Sequence, residues 1–173
     1  YNQTAVADAC KGLGVVLIEW AWRQQGLVLA PGNPLSIGGI KDLASRQVRV
    51  IARQPEAGAQ ILLEHLLTEV GLAMADLDTL DHPAMSETDL GLAVLEDKAD
   101  AGLAVASVAH QYRLDFIPLH QERYDLAVRH RDYFEAPVQA LLAFAATDGF
   151  KARAAEMPGY DVTGLGRVVH NAP

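Results

Sequence analysis

The residues of this sequence best suited to chemistry lie in two turns, each of which leads into a predicted helix. Residues 53–60 read Arg-Gln-Pro-Glu-Ala-Gly-Ala-Gln, and residues 86–89 read Ser-Glu-Thr-Asp. The first backbone N–H groups of a helix have no partner within the helix, and the helix dipole favours negative charge at that end. A helix start can therefore bind an anion, and Ser or Thr hydroxyls add further donors.

Each turn also carries a carboxylate of its own. Glu56 stands in the first turn of its predicted helix, where a negative charge gains about 0.3–1 kcal/mol from the dipole and repels an oxyanion. Glu56 is therefore either a surface residue favoured by the dipole or a contact for a ligand with an amine or amide. Ser86 with Asp89 three residues later has the capping-box pattern, so helix capping is the alternative to a ligand role there.

The signatures of common enzyme classes are missing from the sequence. Six histidines are present, and none has the H-E-x-x-H spacing of a zinc-binding helix. Cys10 is the one cysteine and lacks the spacing of a zinc site or the context of a nucleophile. Asp100, in Ala-Asp-Ala-Gly, resembles a structural turn more than a general base. We therefore predict no catalytic residue and no metal site, and expect a protein that is not an enzyme.

The charge composition argues against two classes of binding partner. The 173 residues include 14 Lys and Arg against 22 Asp and Glu, for a net charge of −8. Surfaces that bind duplex nucleic acid usually carry a basic excess, so direct nucleic-acid binding is not expected, and neither is attraction to anionic membranes. The single cysteine, the absence of a signal-peptide pattern and the lack of an apolar run near 18 residues favour a cytoplasmic location.

The elements that must position these turns alternate between strands and helices, which predicts an α/β protein. Period-two and apolar runs predict the strands, and a 3.6-residue period with capping residues predicts the helices. The residues after 157 are rich in glycine and are predicted to form a loop. The predicted strands are 15–19, 26–30, 48–52, 78–82, 101–105, 115–119 and 123–129. The main helices are one that begins in the turn at 53–58, has its apolar residues between 61 and 70 and stops at Gly71, and then 86–98, 107–112, 136–146 and 150–156.

Several short blocks, taken in order, resemble a known family over nearly the whole chain. The blocks are Tyr1-Asn2, 23–27, 32–34, Asp42-Leu43, Arg53-Gln54, Leu62-Leu63, Thr88, 99–103, 114–119, 122–126 and 158–161. Together they resemble the type II periplasmic-binding-protein-like domain of molybdate-responsive regulators and molybdopterin-biosynthesis-associated proteins.

The resemblance implies two α/β lobes that are joined by two crossing strands and hold a ligand in the cleft between them. One lobe would be residues 31–121. The other would be residues 1–30 and 122–173, with the crossing strands near 26–30 and 122–128. Family members carry a further strand and helix upstream, so this second lobe looks incomplete in the present sequence.

The resemblance also implies where an oxyanion such as molybdate, tungstate or sulfate would bind. The family turn resembles Arg-Gln-x-Gly-Ser-Gly-Thr-Arg, whereas residues 53–60 lack both hydroxyls and the second arginine. Arg23 could instead form an ion pair between lobes, for example with Asp125, and Tyr124 could simply pack in the hinge. The implied ligand contacts are Arg53, Gln54, Glu56, Ala57, Gly58 and Ala59 in the first turn, Thr88 and Asp89 in the second, and Arg23 and Tyr124 beside the crossing strands.

The function that the resemblance implies is a small-ligand sensor whose signal is closure of the lobes. An upstream output domain, for DNA binding or molybdopterin biosynthesis, would read that signal, and no tightly held cofactor is expected. Two alternatives remain open. The domain could bind an amine or amide instead, or it could be an interaction or homodimerisation module that has lost its ligand and buries an apolar patch around Trp20 and Trp22.

Overall fold

The computed structural model describes residue 6, residue 10, residues 12–44 and residues 47–172. The block Tyr1-Asn2, with which the family resemblance begins, lies outside them. The strands are β1 (Val15–Leu29), β2 (Arg49–Ile51), β3 (Asp78–Thr79), β4 (Ala101–Val105), β5 (Asp115–Arg129), β6 (Tyr160–Asp161) and β7 (Val168–Ala172). They form a sheet in the order β3-β2-β4-β1-β5, and β6 and β7 also pair with β1.

Helices alternate with these strands, which confirms the predicted α/β class. Two short 3₁₀ helices, Ile40–Ala44 and Met74–Asp76, complete the elements. The α-helices are α1 (Gly58–Glu69), α2 (Glu87–Leu95), α3 (Ala106–Tyr112), α4 (His130–Tyr133), α5 (Ala136–Ala145) and α6 (Asp148–Ala155).

The chain divides into two compact units. One is Gln24–Gln121, called the continuous unit below. The other combines Tyr1–Arg23 with Glu122–Pro173 and is called the two-segment unit. Strands β1 and β5 each contribute residues to both units, so the chain passes between the units through regular strand backbone.

The core of the continuous unit has two layers of apolar side chains, one on each face of its strands. β2 runs parallel to β3 and β4, and the end of β1 pairs antiparallel with β4. Because side chains alternate along a strand, Leu103 joins the cluster with Leu63 of α1, whereas Ala104 joins the cluster with Leu90 of α2 and Val108 of α3. A sheet covered on both faces explains why its strands are almost wholly apolar.

In the two-segment unit, the first half of β1 is paired by two strands from the end of the chain. Val15 to Ile18 pair with β7, and Trp22 and Arg23 pair with β6, both antiparallel. The side chains of Val15, Val16, Leu17 and Ile18 are buried, so this stretch anchors the core of the unit.

Three predictions about the strands and the tail were wrong. The predicted strands 15–19 and 26–30 are parts of the single strand β1, which ends at Leu29, and residues 115–119 and 123–129 belong to the single strand β5. The polar residues between the apolar runs hid this continuity, since a strand is held by backbone pairing and β1 has a different partner along each stretch. The tail after residue 157 was predicted to be a loop, but it contains β6 and β7, whose partner lies far away in sequence.

Candidate functional site

The first predicted turn connects β2 to α1 and is held in place by a buried glutamine. Gln60, in the first turn of α1, is 5% exposed. Its Oε1 accepts a hydrogen bond from the backbone N–H of Arg53 at 3.1 Å, and its Nε2 donates to Glu64 Oε1 at 2.9 Å. The backbone N–H of Ala57 donates to the carbonyl of Gln54 at 3.0 Å. These bonds fix the chain where it enters the helix.

The N-terminus of α1 has no side-chain cap. Ala57 occupies the N-cap position and offers no oxygen to the first N–H groups of the helix. Gly58 is exposed, and a Cβ built on it would meet nothing within 4 Å. Glu56 is exposed, and in the part of the chain that the structure describes its carboxylate accepts no hydrogen bond. An anion can therefore approach these backbone donors.

The second turn lies directly beside the first. Arg53 forms a parallel bridge with Ala84, whose N–H donates to the carbonyl of Ala52 at 2.9 Å. The guanidinium of Arg53 donates from Nε to the carbonyl of Ala84 at 3.0 Å and from Nη2 to that of Met85 at 3.3 Å. Gln54 Nε2 also donates to the Met85 carbonyl, at 3.3 Å. Arg53 and Gln54 thus join the two turns.

The N-terminus of α2 is capped by its own side chains. The backbone N–H of Asp89 donates to Ser86 Oγ at 3.0 Å, and the N–H of Ser86 donates to Asp89 Oδ2 at 2.9 Å. This reciprocal pair is the capping box that the sequence indicated. Thr88 is exposed. The two helix starts therefore differ, because α2 is closed by the Ser86 hydroxyl and the Asp89 carboxylate of its capping box, whereas α1 has no side-chain cap.

The other two candidate contacts, Arg23 and Tyr124, meet within the two-segment unit. The guanidinium of Arg23 stacks on the Tyr124 ring, with Cζ 4.4 Å from the ring centroid, and pairs with Glu122. The sequence suggested Asp125 as the partner of Arg23, but Asp125 Oδ1 instead accepts a hydrogen bond from Arg123 Nε at 2.9 Å. Arg23 is thus engaged by an ion pair and a stacked ring, and the phenol of Tyr124 is 44% exposed.

Comparison with known proteins identifies the family. A family model described as the PBP superfamily domain matches residues 1–146. This chain is a member of the PBP superfamily. Its two-lobe α/β fold is the one that the resemblance implied.

One sequence relative and two solved structures show what this PBP domain is similar to. Uncharacterized protein YvgK of Bacillus subtilis (strain 168) is 31% identical over 169 residues, which are 98% of this chain and 54% of YvgK. The chain therefore spans about half the length of that relative. L-phospholactate-bound PEB3 of Campylobacter jejuni superposes with a TM-score of 0.64 at 14% identity, over 83% of this chain and 67% of PEB3.

The second solved structure is the substrate binding domain of a protein described as a "putative molybdenum ABC transporter" from Clostridium difficile. Its TM-score is 0.56 at 16% identity, over 92% of this chain and 72% of that domain. Identities this low establish a shared fold. They transfer no ligand to this PBP domain.

Two further observations concern metal binding and membrane spans. Within the residues that the structure describes, no group of three or more His, Cys, Asp or Glu could hold a metal ion. Across the same residues, no helix combines the length and the apolar character needed to cross a membrane.

Sequence reasoning missed two buried polar residues that organise these sites. Gln60 stood in the sequence as the position of a lost arginine, yet its amide holds the turn. Glu19 lay inside an apolar run and was read as part of a strand, yet it is 1% exposed and binds Arg167 at 2.5 Å. A charged residue in the middle of an otherwise buried strand was the available signal, because such a group needs a partner.

Proposed function

We propose that this PBP domain binds a small oxyanion of the molybdate or tungstate class at the N-terminus of α1. The observation that carries the proposal is the open helix start after Ala57, where the backbone N–H groups of Gly58 and Ala59 have no side-chain cap. Helix dipole and free N–H groups together favour negative charge there. We propose no catalytic role, since ligand binding accounts for these features without one.

Glu56 is the main objection to an anion, and its exposure limits that objection. A solvated carboxylate about 4 Å from a bound anion repels it by only about 1 kcal/mol. Glu56 is exposed and accepts no hydrogen bond in the described part of the chain, so its side chain can turn toward water. The descriptions of PEB3 and of the Clostridium difficile domain name L-phospholactate and molybdenum, and both are compatible with an anionic ligand.

Calorimetry and thermal shift with molybdate, tungstate, sulfate and phosphate, and with amino acids and polyamines as the amine series, test the proposal. A ligand at 100 times its Kd adds about 2.7 kcal/mol to the free energy of unfolding. We expect Glu56→Gln to bind molybdate about two- to fivefold more tightly, because a repulsive charge is removed. Glu69→Gln, at the other end of the same helix, is the matched control and should leave affinity unchanged.

Each result decides between ligand classes. If neither the natural chain nor Glu56→Gln responds to any of the four anions, the oxyanion proposal is wrong. If the natural chain responds to amines alone and Glu56→Gln loses that response, the ligand is an amine that pairs with Glu56.

Signalling and location are further parts of the proposal. We propose that lobe closure is the signal, that an output domain for DNA binding or molybdopterin biosynthesis reads it, and that the protein is cytoplasmic. Small-angle X-ray scattering tests closure, since the radius of gyration should fall when molybdate is added. Cell fractionation tests the location.

A second candidate function is homodimerisation through α5. The ten residues of this helix include no charged side chain, and Leu141 and Phe144 are 43% and 61% exposed. Because the chain carries a net charge of −8, two copies meet with least repulsion through an uncharged face such as this one. The Trp20 ring reaches the same surface through edge contacts from Trp20 to Phe150, at 5.8 Å, and from Phe150 to Phe144, at 5.6 Å.

Light scattering coupled to size exclusion tests this candidate. We expect a dimer that Phe144→Glu converts to a monomer. Leu95→Glu is the control, since Leu95 is an exposed apolar residue of the continuous unit, and this variant should leave the dimer intact. A monomer at all concentrations would exclude the dimer.

A further inference from the structure

A second candidate site lies wholly within the two-segment unit. A cavity of about 560 Å³ opens between β1 and the turn that follows β6. Its walls combine carboxylates, an indole ring and a guanidinium. The lining residues are Glu19, Trp22, Asp161, Thr163, Leu165 and Arg167, with the backbone of Gly164.

Glu19 supplies a buried negative charge to this cavity. The residue is 1% exposed, and its Oε2 accepts from Arg167 Nη2 at 2.5 Å and Nε at 3.1 Å. Its other oxygen, Oε1, accepts no hydrogen bond from any residue that the structure describes. A Cβ on Gly164 would lie 1.9 Å from Oε1, so the glycine leaves room for the carboxylate at the wall of the cavity.

Arg167 covers this carboxylate from the solvent side. The Arg167 side chain is 65% exposed, whereas that of Glu19 is only 2% exposed. An exposed, flexible side chain can leave at a modest cost. Among the residues that the structure describes, the buried Glu19 carboxylate would then have no hydrogen-bonded cation, because Arg123, the other arginine whose charge it feels, is hydrogen-bonded to Asp125. The guanidinium of Arg167 therefore marks a position at which the cavity accepts a planar cation.

Two neighbours favour the same kind of ligand. Asp161 accepts hydrogen bonds from the N–H of Thr163 at 2.8 Å and from its hydroxyl at 2.6 Å, and these bonds lower the pKa of the Asp161 carboxyl. Asp161 thus stays ionised at neutral pH and adds a second negative charge to the lining. The Trp22 ring adds an aromatic wall of the kind that attracts guanidinium and ammonium groups.

We propose that this cavity binds a small organic cation with a guanidinium group, which takes the place of Arg167 beside Glu19. The ligand would pair with the Glu19 carboxylate, while Asp161 and Trp22 contact the rest of the molecule. The overall charge of −8 favours the approach of such a cation. This proposal does not depend on the oxyanion proposal, because the residues of the two sites belong to different units.

Agmatine is the probe, and NMR of the Trp22 indole N–H in the natural chain is the first measurement. We expect a saturable shift of this resonance with agmatine and none with n-butanol, which has a similar alkyl chain without the cation. Absence of a saturable shift overturns the proposal, even if a variant binds agmatine.

Variants then locate the cation. Arg167→Gln removes the internal competitor, so we expect affinity for agmatine to rise about tenfold. Arg153→Gln removes an arginine of α6, in the same unit, that pairs with Glu156 just after the helix, and should change nothing. Glu19→Gln combined with Arg167→Gln should abolish binding, and binding that persists there overturns the proposal. If Arg167→Gln does not fold, Asp161→Asn in the natural chain must weaken the Trp22 response, or the proposal is wrong.

Discussion

At the scale of single residues, Arg49 and Asp100 form a charged pair that serves the fold. Asp100 Oδ2 accepts from the backbone N–H of Arg49 at 2.7 Å and from its Nε at 3.0 Å, and Oδ1 accepts from Nη2 at 2.8 Å. This ties the start of β2 to the residue that precedes β4. The geometry agrees with the interpretation of Asp100 as a structural residue, since its acceptor oxygens are already used.

The ion pair of Arg49 and Asp100 predicts that the stability of the folded chain depends on pH. The guanidinium of Arg49 lowers the pKa of the Asp100 carboxyl below its ordinary value of 3.8. The carboxylate therefore stabilises the folded chain above about pH 4, and this contribution is lost as the pH falls through the lowered pKa. We expect Asp100→Asn to cost about 1.5–3 kcal/mol at pH 7, and the difference from the natural chain to shrink in acid. Urea unfolding at a series of pH values measures both effects.

Asp97→Asn is the control for this prediction. Asp97 also pairs with Arg49, at 2.6 Å, but its side chain is 89% exposed. Its φ of 57° is one that asparagine adopts readily. We expect a change below about 1 kcal/mol. Equal losses in the two variants, or an Asp100→Asn deficit that persists unchanged in acid, would contradict the proposed linkage.

At the scale of elements, the contrast between the two helix starts gives a second prediction. We expect Ala57→Asp to raise the free energy of unfolding by about 0.5–2 kcal/mol, because its side chain caps the first N–H groups of α1. The same carboxylate should abolish molybdate binding, since it occupies the donors and repels the anion. Chemical denaturation and calorimetry on one preparation measure the two opposite effects.

Ala57→Asn separates the charge from the cap. Asparagine caps a helix about as well as aspartate, so it should stabilise the chain similarly. Because it adds no charge, it should weaken molybdate binding less than aspartate does. Undiminished molybdate binding by Ala57→Asp would place the ligand away from α1.

The helices could be predicted from sequence more closely than the strands. The predicted helix 136–146 is Ala136–Ala145 in the structure, because Pro137 and a local period mark it. Local signals of this kind do not exist for β6, a strand of two residues that depends on pairing with Trp22 and Arg23. The open start of α1 could be inferred in part from Ala57 and Gly58, whereas the part played by Gln60 depends on a hydrogen bond between side chain and backbone that no pattern encodes.

At the scale of the whole molecule, it was the order of short blocks along the chain that indicated the family. No block is specific by itself. Composition gives only an acidic chain, and the alternation of strand and helix patterns gives only the α/β class. The net charge does not locate either proposed site, since a charge of −8 opposes the approach of an oxyanion as strongly as it favours that of a cation. In both proposals the binding position is therefore set by local donors and acceptors, which are the open N–H groups of α1 in one unit and Glu19 in the other.

Hydrogen exchange read by mass spectrometry tests this separation on one intact chain. An amide exchanges more slowly when bound ligand stabilises its closed state. We expect molybdate to slow exchange over residues 57–60 and agmatine to slow it over residues 161–167, with neither ligand protecting the other segment. Arg167 offers an alternative binding position for molybdate, because an exposed guanidinium attracts anions even where no pocket surrounds it. Protection of residues 161–167 by molybdate would assign the anion to Arg167 and contradict the assignment to α1. Protection of residues 57–60 alone would mean that the helix start binds the anion despite the negative net charge of the molecule.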